Sequence, residues 1–231
     1  LILVSGNFDL SVGSGVALIG VVMAWGAANY NIPVAIGLAL VTGLLIGVVN
    51  GFSVTVLGIN ALITTLAMLA ILRGLALVLA GGQTLLLSDF GWLGNARPLF
   101  DIPLPVFIFI AVILIFGFIM RFTVFGRSMY AIGANPVAAR LAGIKTKSAV
   151  FVSFILSGLA VVVGGLILVS QLGAASPQAG LGLELAVVTA VILGGASLAG
   201  GRGTITGTGR GVFILGVLNN GLTRMIIDSF W

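Results

Sequence analysis

Few side chains in this sequence could take part in chemistry. Among the 231 residues there is no His and no Cys, which excludes imidazole proton shuttles, imidazole or thiolate metal ligands, and a Ser–His nucleophile pair. Five carboxylates remain, and two of them, Asp9 and Glu184, stand at the start of long apolar segments. We therefore expect no catalytic residue, no metal site and no cofactor on this chain.

Two glycine-rich patterns come close to catalytic motifs and fail. Gly195 and Gly200 have the spacing of a phosphate-binding loop, but Gly201 and Arg202 stand where Lys and Ser or Thr are required. Ser197 lies in an incomplete nucleophile elbow, but there is no His to act as its base, and the only lysines lie in a distant basic segment. The sequence thus predicts neither nucleotide hydrolysis nor proteolysis, and the chain is not expected to be an enzyme.

The composition is that of a membrane protein. The chain is 60% hydrophobic and 6% charged, and apolar runs of about 20 residues recur, each long enough to span about 30 Å of hydrocarbon as a helix. Seven or so such segments fit, so we predict one all-α transmembrane domain over residues 1–231. The chain starts at Leu1 without a basic leader and stops at Trp231, so we expect a fragment that lacks N-terminal helices and a last C-terminal helix.

A basic segment at residues 121–147 separates two long apolar runs. It holds half of the chain's ten basic residues and no carboxylate, which by the positive-inside rule predicts a cytoplasmic loop. Within it, Asn135 is of the type that caps helices, Pro136 suits the first helical position, and Gly143 suits the end. The pattern predicts a short amphipathic helix just below the membrane, where it could dock onto another protein.

Polar residues interrupt the apolar sequence near its start. Asn7, Asp9 and Ser11 follow Gly6 and precede an apolar segment that reaches about Ala28. One interpretation is a capped helix, with Asn7 or Asp9 as the cap and Asp9 in the first turn. The other is a broken helix, which membrane proteins tolerate where the backbone lines a cavity or is packed in protein. The second makes these three residues candidates for a translocation pathway.

Two more polar residues lie inside predicted spans and are further pathway candidates. Asn50 adjoins a strip of small residues spaced by four, which lets two membrane helices approach closely, so it is either interhelical glue or a pathway residue. Arg73 needs a partner, a water-filled cavity or an exit to the interface. It is either functional or, if Gly74 ends the helix, a snorkelling side chain. The small residues are Ala35, Ala39, Gly43, Gly47 and Gly51.

A short similarity links two helix starts. Residues 9–12 (DLSV) and 184–187 (ELAV) both place an acid before Leu, a small residue and Val. The expected topology starts the first of these helices inside and the second outside, as an inverted repeat requires. The sequence therefore predicts a polytopic helix bundle with broken or half helices and an inverted repeat.

Six motifs occur in order along the chain and resemble those of a known family. They are GNFDLSVGS, RGLALVLAGG, FGRSMYAIGANPVAARLAGI, LSGLAVVVGG, AGLGLELAVVTAVILGGASLAGGRGT and ILGVLNNG. Together they resemble the membrane permeases of ribose-type bacterial ABC sugar importers, over essentially the full chain. The sequence departs from the pattern at Asn7, where a second glycine is usual, and at Arg210, where an apolar residue is usual.

The resemblance implies a permease subunit, without its own ATPase site, that moves a monosaccharide across the bacterial cytoplasmic membrane by alternating access. It implies a second permease chain, cytoplasmic ATP-binding subunits and a periplasmic sugar-binding protein as partners, with the lipid bilayer around them and no nucleic acid. Segment 121–147 would then be the coupling loop that docks onto the ATPase. The residues that carry this expectation are Gly126, Arg127, Asn135, Pro136, Ala139, Arg140 and Gly143.

Two alternatives stay open at this point. An ion-coupled secondary transporter or facilitator would need paired carboxylates or a His relay near the midplane, and the chain offers only Asp9 and Glu184, both at helix starts. A non-transporting membrane scaffold is disfavoured by the helix-breaking polar segments. The sequence does not identify the sugar.

Overall fold

The computed structural model describes residues 1–224, with side chains described as far as Gly221. The fold is mostly helical. In chain order, the elements are the 3-10 turn Leu3–Ser5, helices α1 Val12–Asn29, α2 Ile32–Thr55 and α3 Ala61–Leu79, strand β1 Leu85–Leu86, helices α4 Trp92–Asn95, α5 Leu104–Phe122, α6 Val124–Ala134, α7 Pro136–Leu141 and α8 Thr146–Leu172, strand β2 Ala174–Ala175, and helices α9 Leu183–Leu193 and α10 Ile205–Arg224.

Within the described residues, five helices are long and apolar enough to cross a membrane: α1, α2, α3, α5 and α8. The sequence predicts seven or so spans, and the difference lies in the C-terminal part. α9 has 11 residues, too few to cross about 30 Å of hydrocarbon. α10 has 20 residues but carries Arg210 and two adjacent asparagines, so it does not qualify by composition.

The mostly helical fold agrees with the all-α prediction, apart from one pair of two-residue strands. β1 and β2 pair in antiparallel fashion, with Leu85 opposite Ala175, and Leu87 N–H donates to Gly173 O at 2.8 Å. The pairing joins the connection after α3 to the connection after α8. Loop backbone groups that lack a helical partner are satisfied this way, and no local sequence pattern indicates a contact between such distant segments.

α1 forms the core of the bundle. Its side chains Ile19, Val21 and Met23 are fully buried, and it packs against α2, α3 and α8. α5 is the opposite case, because Met120 is its only buried residue and large apolar side chains such as Leu114 are exposed along it. Such an exposed apolar surface is the kind that lipid covers.

The strip of small residues on α2 packs α2 tightly against α8, as predicted. A Cβ added to Gly43 would lie 2.1 Å from Val162 Cγ2, and one added to Gly47 would lie 2.6 Å from Phe154 O. From the other side, a Cβ on Gly158 would lie 2.1 Å from Gly43 O. The backbones therefore meet with no room for side chains, which is the small-residue mode of membrane helix packing.

Candidate coupling surface and translocation pathway

The basic segment 121–147 folds into two helices. The sequence pattern predicts the second of them, α7, but not the first, α6. Thr123 begins α6 by accepting a hydrogen bond from Gly126 N–H at 3.1 Å. Met129 and Ile132 are buried on this helix, and their spacing, together with Phe125, is the helical signal that could have revealed it.

α7 has the predicted caps. The Asn135 side chain accepts hydrogen bonds from Val137 N–H and Ala138 N–H, both at 3.0 Å, and Pro136 occupies the first turn. Gly143 adopts a positive φ of 83°, the left-handed conformation that glycine favours after a helix. The helix itself ends at Leu141, slightly earlier than predicted.

Most of the α7 surface faces outward. Val137 and Leu141 are 65% and 85% exposed, and Arg140 is exposed between them. Ala139 is the exception, since it is buried in a cluster that includes Ile132 and Phe154. α7 is thus seated on the bundle by one small residue and presents two apolar side chains and an arginine to its surroundings.

Gly126 and Arg127 do not belong to this exposed surface. Gly126 is buried where α6 turns away from α5, and a Cβ there would lie 2.3 Å from Met120 O. Arg127 is exposed and its Nη1 donates to Phe122 O at 3.4 Å. The structure therefore gathers Asn135, Pro136, Arg140 and Gly143 at α7 and places Gly126 and Arg127 at the start of α6.

The polar break before α1 is not a cap. α1 begins at Val12, no acidic residue lies in its first turn, and the N-cap residue Ser11 makes no capping hydrogen bond through its side chain. The interpretation with Asn7 or Asp9 as cap is therefore wrong. Asp9 instead bonds two residues further along the chain, because its carboxylate accepts from Ser11 N–H at 3.1 Å and from Ser11 Oγ at 2.6 Å.

Asp9 also connects the break to two long helices. Its Oδ2 accepts a hydrogen bond from Ser157 Oγ of α8 at 2.7 Å. Ser11 Oγ in turn accepts from Asn50 Nδ2 of α2 at 2.9 Å, and Asn50 is fully buried, with no partner for Oδ1 in the part of the chain that the structure describes. We call Asp9, Ser11, Asn50 and Ser157 the break network. Sequence analysis missed Ser157, which lies in a long apolar run without a local signal.

A cavity of about 330 Å³ opens beside the break. Asn7 and Asp9 line it together with Ser157 and Tyr130, and most of the remaining wall is apolar side chains of α5, α8, α9 and α10. The side-chain amide of Asn7 has a hydrogen-bond partner within the chain, because its Nδ2 donates to Ser5 Oγ at 3.0 Å.

Arg73 lies apart from the break network. α3 continues to Leu79, so the interpretation in which Gly74 ends the helix is wrong. Arg73 Nη1 donates to Pro177 O at 2.6 Å and to Ala179 O at 2.8 Å. The partner that an intramembrane arginine requires is therefore the backbone of the connection between β2 and α9, residues 176–182.

That connection seats α9 against α1. A Cβ on Gly13 of α1 would lie 2.3 Å from Glu184 Oε2 and 2.5 Å from Gly180 O. The first turns of the two helices are therefore in direct contact. Among the described residues, Glu184 Oε2 and Arg73 Nε are both buried without a hydrogen-bond partner.

Membrane-length helices packed around a buried polar network define a polytopic membrane protein. The chain belongs to the family described as "Branched-chain amino acid transport system / permease component", whose model matches residues 1–229. It is thus a transport-system permease component.

Individual relatives are similar over essentially the whole chain. The chain is 41% identical to the ribose import permease protein RbsC of Escherichia coli, with 100% of the chain and 74% of the relative covered. It is 42% identical to the L-arabinose transport system permease protein AraH of Escherichia coli, covering 99% and 70%. It is 36% identical to the autoinducer 2 import system permease protein LsrC of Photorhabdus luminescens, covering 100% and 70%. No solved structure matches the chain.

Proposed function

We propose that this chain moves a monosaccharide across the bacterial cytoplasmic membrane as the permease subunit of an ATP-driven importer. The observation that carries the proposal is the identity of 41% and 42% with permeases named for ribose and L-arabinose over essentially the whole chain. The family description refers to branched-chain amino acids, but these relatives carry sugar names. A neutral sugar also fits a chain whose spans contain few charged residues.

The transporter contains further subunits. A second permease chain forms the other half of the pathway, cytoplasmic subunits bind and hydrolyse ATP, and a periplasmic sugar-binding protein delivers the solute. The bilayer surrounds the pair, and nucleic acid has no part in the assembly. This chain contributes no phosphate-binding loop of its own, since Arg202 follows Gly201 where Lys and Ser or Thr would be needed.

α7 is the part of the chain that receives the movement of the ATPase. Exposed Val137 and Leu141 offer an apolar contact, and Arg140 between them offers a charge. Interfaces commonly combine an apolar centre with arginine. The Asn135 cap and the buried Ala139 fix the helix to the bundle, so a push on α7 becomes a rigid-body movement.

The solute pathway runs beside the polar break, and the break belongs to an inverted repeat of broken helices. Two observations support this. The first turns of α1 and α9 meet at Gly13 and Glu184, and an acid stands near each helix start, Asp9 and Glu184. Half helices that meet within the membrane are the usual construction of substrate pathways in repeat-built transporters. Asn7, Asp9, Ser11, Asn50 and Arg73 are the pathway residues of this proposal, with Arg73 acting through the connection that it holds.

The energy source provides the test. Reconstituted in vesicles with its neighbouring ATPase and binding protein, the chain should take up D-ribose or L-arabinose only when ATP is supplied inside. Uptake driven by a proton or sodium gradient without ATP, with no ATPase co-purifying, would instead support an ion-coupled transporter. Co-purification without any uptake would point to a scaffold.

A charge reversal on α7 tests the coupling role. Arg140→Glu should lower sugar-stimulated ATP hydrolysis and uptake by about ten-fold, because it replaces the positive charge of the docking surface with a negative one. The thermal stability of the chain should be unchanged. Arg97→Glu is the matched control, since Arg97 is also an exposed arginine but lies in the connection before α5. Equal activity in the two variants would remove α7 from the coupling path.

A further inference from the structure

The glycine-rich stretch that fails as a phosphate-binding loop has a different structural role. It forms the turn between α9 and α10, and Gly200 and Gly201 both adopt positive φ angles, 84° and 72°. Gly201 N–H donates to Val4 O of the N-terminal 3-10 turn at 2.8 Å. The turn is therefore bonded to the residues that lead directly into the polar break.

α6 is the third backbone segment that packs at this contact. A Cβ on Gly133 would lie 1.9 Å from Val4 O and 2.4 Å from Gly201 N. A Cβ on Gly201 would lie 2.9 Å from Ala134 Cα, and one on Gly200 would lie 2.8 Å from Gly6 N. Three backbones therefore touch with no side chains between them. We call Val4, Gly133, Gly200 and Gly201 the glycine junction.

A side-chain hydrogen bond reinforces the glycine junction. Tyr130, one turn before Gly133 on α6, donates from its hydroxyl to Gly203 O at 2.7 Å. Burial raises the pKa of the Tyr130 phenol, so the donor stays protonated. α6 is thereby fastened to the residue that leads into α10.

We propose that the glycine junction passes the movement of α7 to two parts of the membrane domain, the Asn7–Ser11 break and helix α10. Asn135 ends α6 and starts α7, so a displacement of α7 displaces Gly133. From Gly133 the displacement reaches the Asn7–Ser11 break through Val4 and α10 through Gly201. Close-packed backbones transmit such a shift because they cannot deform continuously. Gly133 and Tyr130 are positioning residues in this account, which rests on the proposed function.

Other routes from α7 exist, and the experiment must separate them. α7 is also connected to α8 through residues 142–145, and α8 reaches Asp9 through Ser157. Gly133→Ala leaves that second route intact, because it changes only the junction. A Cβ at Gly133 meets backbone atoms, so the junction must open to admit it.

A cysteine reporter at the break can show whether movement arrives there. Residues 1–231 contain no Cys, so Phe8→Cys introduces the one thiol of this segment beside Asp9, in the cavity wall, and labelling is compared with the protein that lacks the substitution. The full-length protein is purified with its ATPase subunit, and maleimide labelling rates are compared without nucleotide and after trapping with MgATP and orthovanadate. We expect trapping to change the labelling rate in the parent.

Gly133→Ala should reduce that nucleotide-dependent change by about five-fold, the factor that corresponds to one net hydrogen bond, because opening the junction separates Gly201 N–H from Val4 O, while the ATPase subunit still co-purifies. Gly37→Ala is the matched control, since a Cβ at Gly37 has nothing within 4 Å, and it should behave as the parent does. Tyr130→Phe removes one hydroxyl without loss of packing and should give a smaller reduction. If Gly133→Ala does not fold, the response of Tyr130→Phe tests the proposal instead.

Three results would overturn the proposal. A parent reporter that ignores nucleotide, a Gly133→Ala complex that keeps the full change, or an unaltered response in Tyr130→Phe where Gly133→Ala does not fold would each remove the junction from the coupling route. Failure of the ATPase to co-purify with the unaltered chain would overturn the proposed function, and the role of the junction with it. The two failures are therefore distinguishable.

Discussion

The polar break before α1 and the helix α7 are both short interruptions between long apolar helices, but their polar groups point in opposite directions. In the break, the Asp9 carboxylate accepts three hydrogen bonds from groups within the chain. In α7, only the Asn135 cap is used internally, while Arg140 and Leu141 are exposed. The difference teaches that the break holds this chain together, whereas α7 leaves most of its surface exposed, as the proposed docking role requires.

Removal of Asp9 should give the largest loss of stability. Asp9→Ala leaves Ser11 and Ser157 without their acceptor inside the bundle, and we expect the free energy of unfolding to fall by about 2–3 kcal/mol. Asp101→Ala is the control, because its ion pair with Arg97 involves side chains that are 86% and 56% exposed and is worth about 0–1 kcal/mol. Denaturant titration in detergent measures both. Equal losses would mean that the break network is not structural.

Arg73 should give the next largest effect. Arg73→Ala leaves the carbonyls of Pro177 and Ala179 without their donor, and we expect a loss of about 1–2 kcal/mol together with faster proteolysis within residues 176–182. Arg73→Lys retains a charged donor and should recover part of the loss. Unchanged proteolysis in Arg73→Ala would show that the connection before α9 does not depend on this arginine.

The cap of α7 should give a small loss of stability and a large loss of coupling. Asn135→Ala removes the acceptor for two backbone N–H groups and should cost about 1 kcal/mol. Asn60→Ala removes a similar cap from α3, where Asn60 accepts from Leu62 N–H at 2.8 Å. The two variants should be equally stable, but only Asn135→Ala should lower ATP-driven uptake. Asn135→Asp, which keeps an acceptor, should restore it.

Local sequence patterns predict the parts of the fold that depend on interactions between residues close in sequence. α7 follows from its caps at Asn135, Pro136 and Gly143. The strip of small residues on α2 correctly indicated a close helix contact. Apolar length located the five membrane-length helices, but it also counted α9 and α10 as spans, although α9 is too short and α10 is too polar.

Contacts between segments that are distant in sequence could not be predicted from local patterns. Nothing near Ser157 indicates that it bonds to Asp9, and nothing near Arg73 indicates the carbonyls of Pro177 and Ala179. The capping interpretation of Asp9 is wrong because α1 begins at Val12, and no local pattern shows that the Asp9 carboxylate also accepts from Ser157 of α8. The pairing of β1 with β2 is a third example.

The sidedness of α7 tests the central claim most directly. Leu141 is 85% exposed and residues 1–231 contain no Cys, so Leu141→Cys adds the one thiol of this segment for a membrane-impermeant maleimide, and the protein without the substitution gives the background labelling. The account predicts no labelling in cells whose cytoplasmic membrane is intact, labelling in inverted membrane vesicles, and protection in vesicles when the ATPase subunit is bound. Labelling of Leu141→Cys from the outer side of intact cells would contradict it.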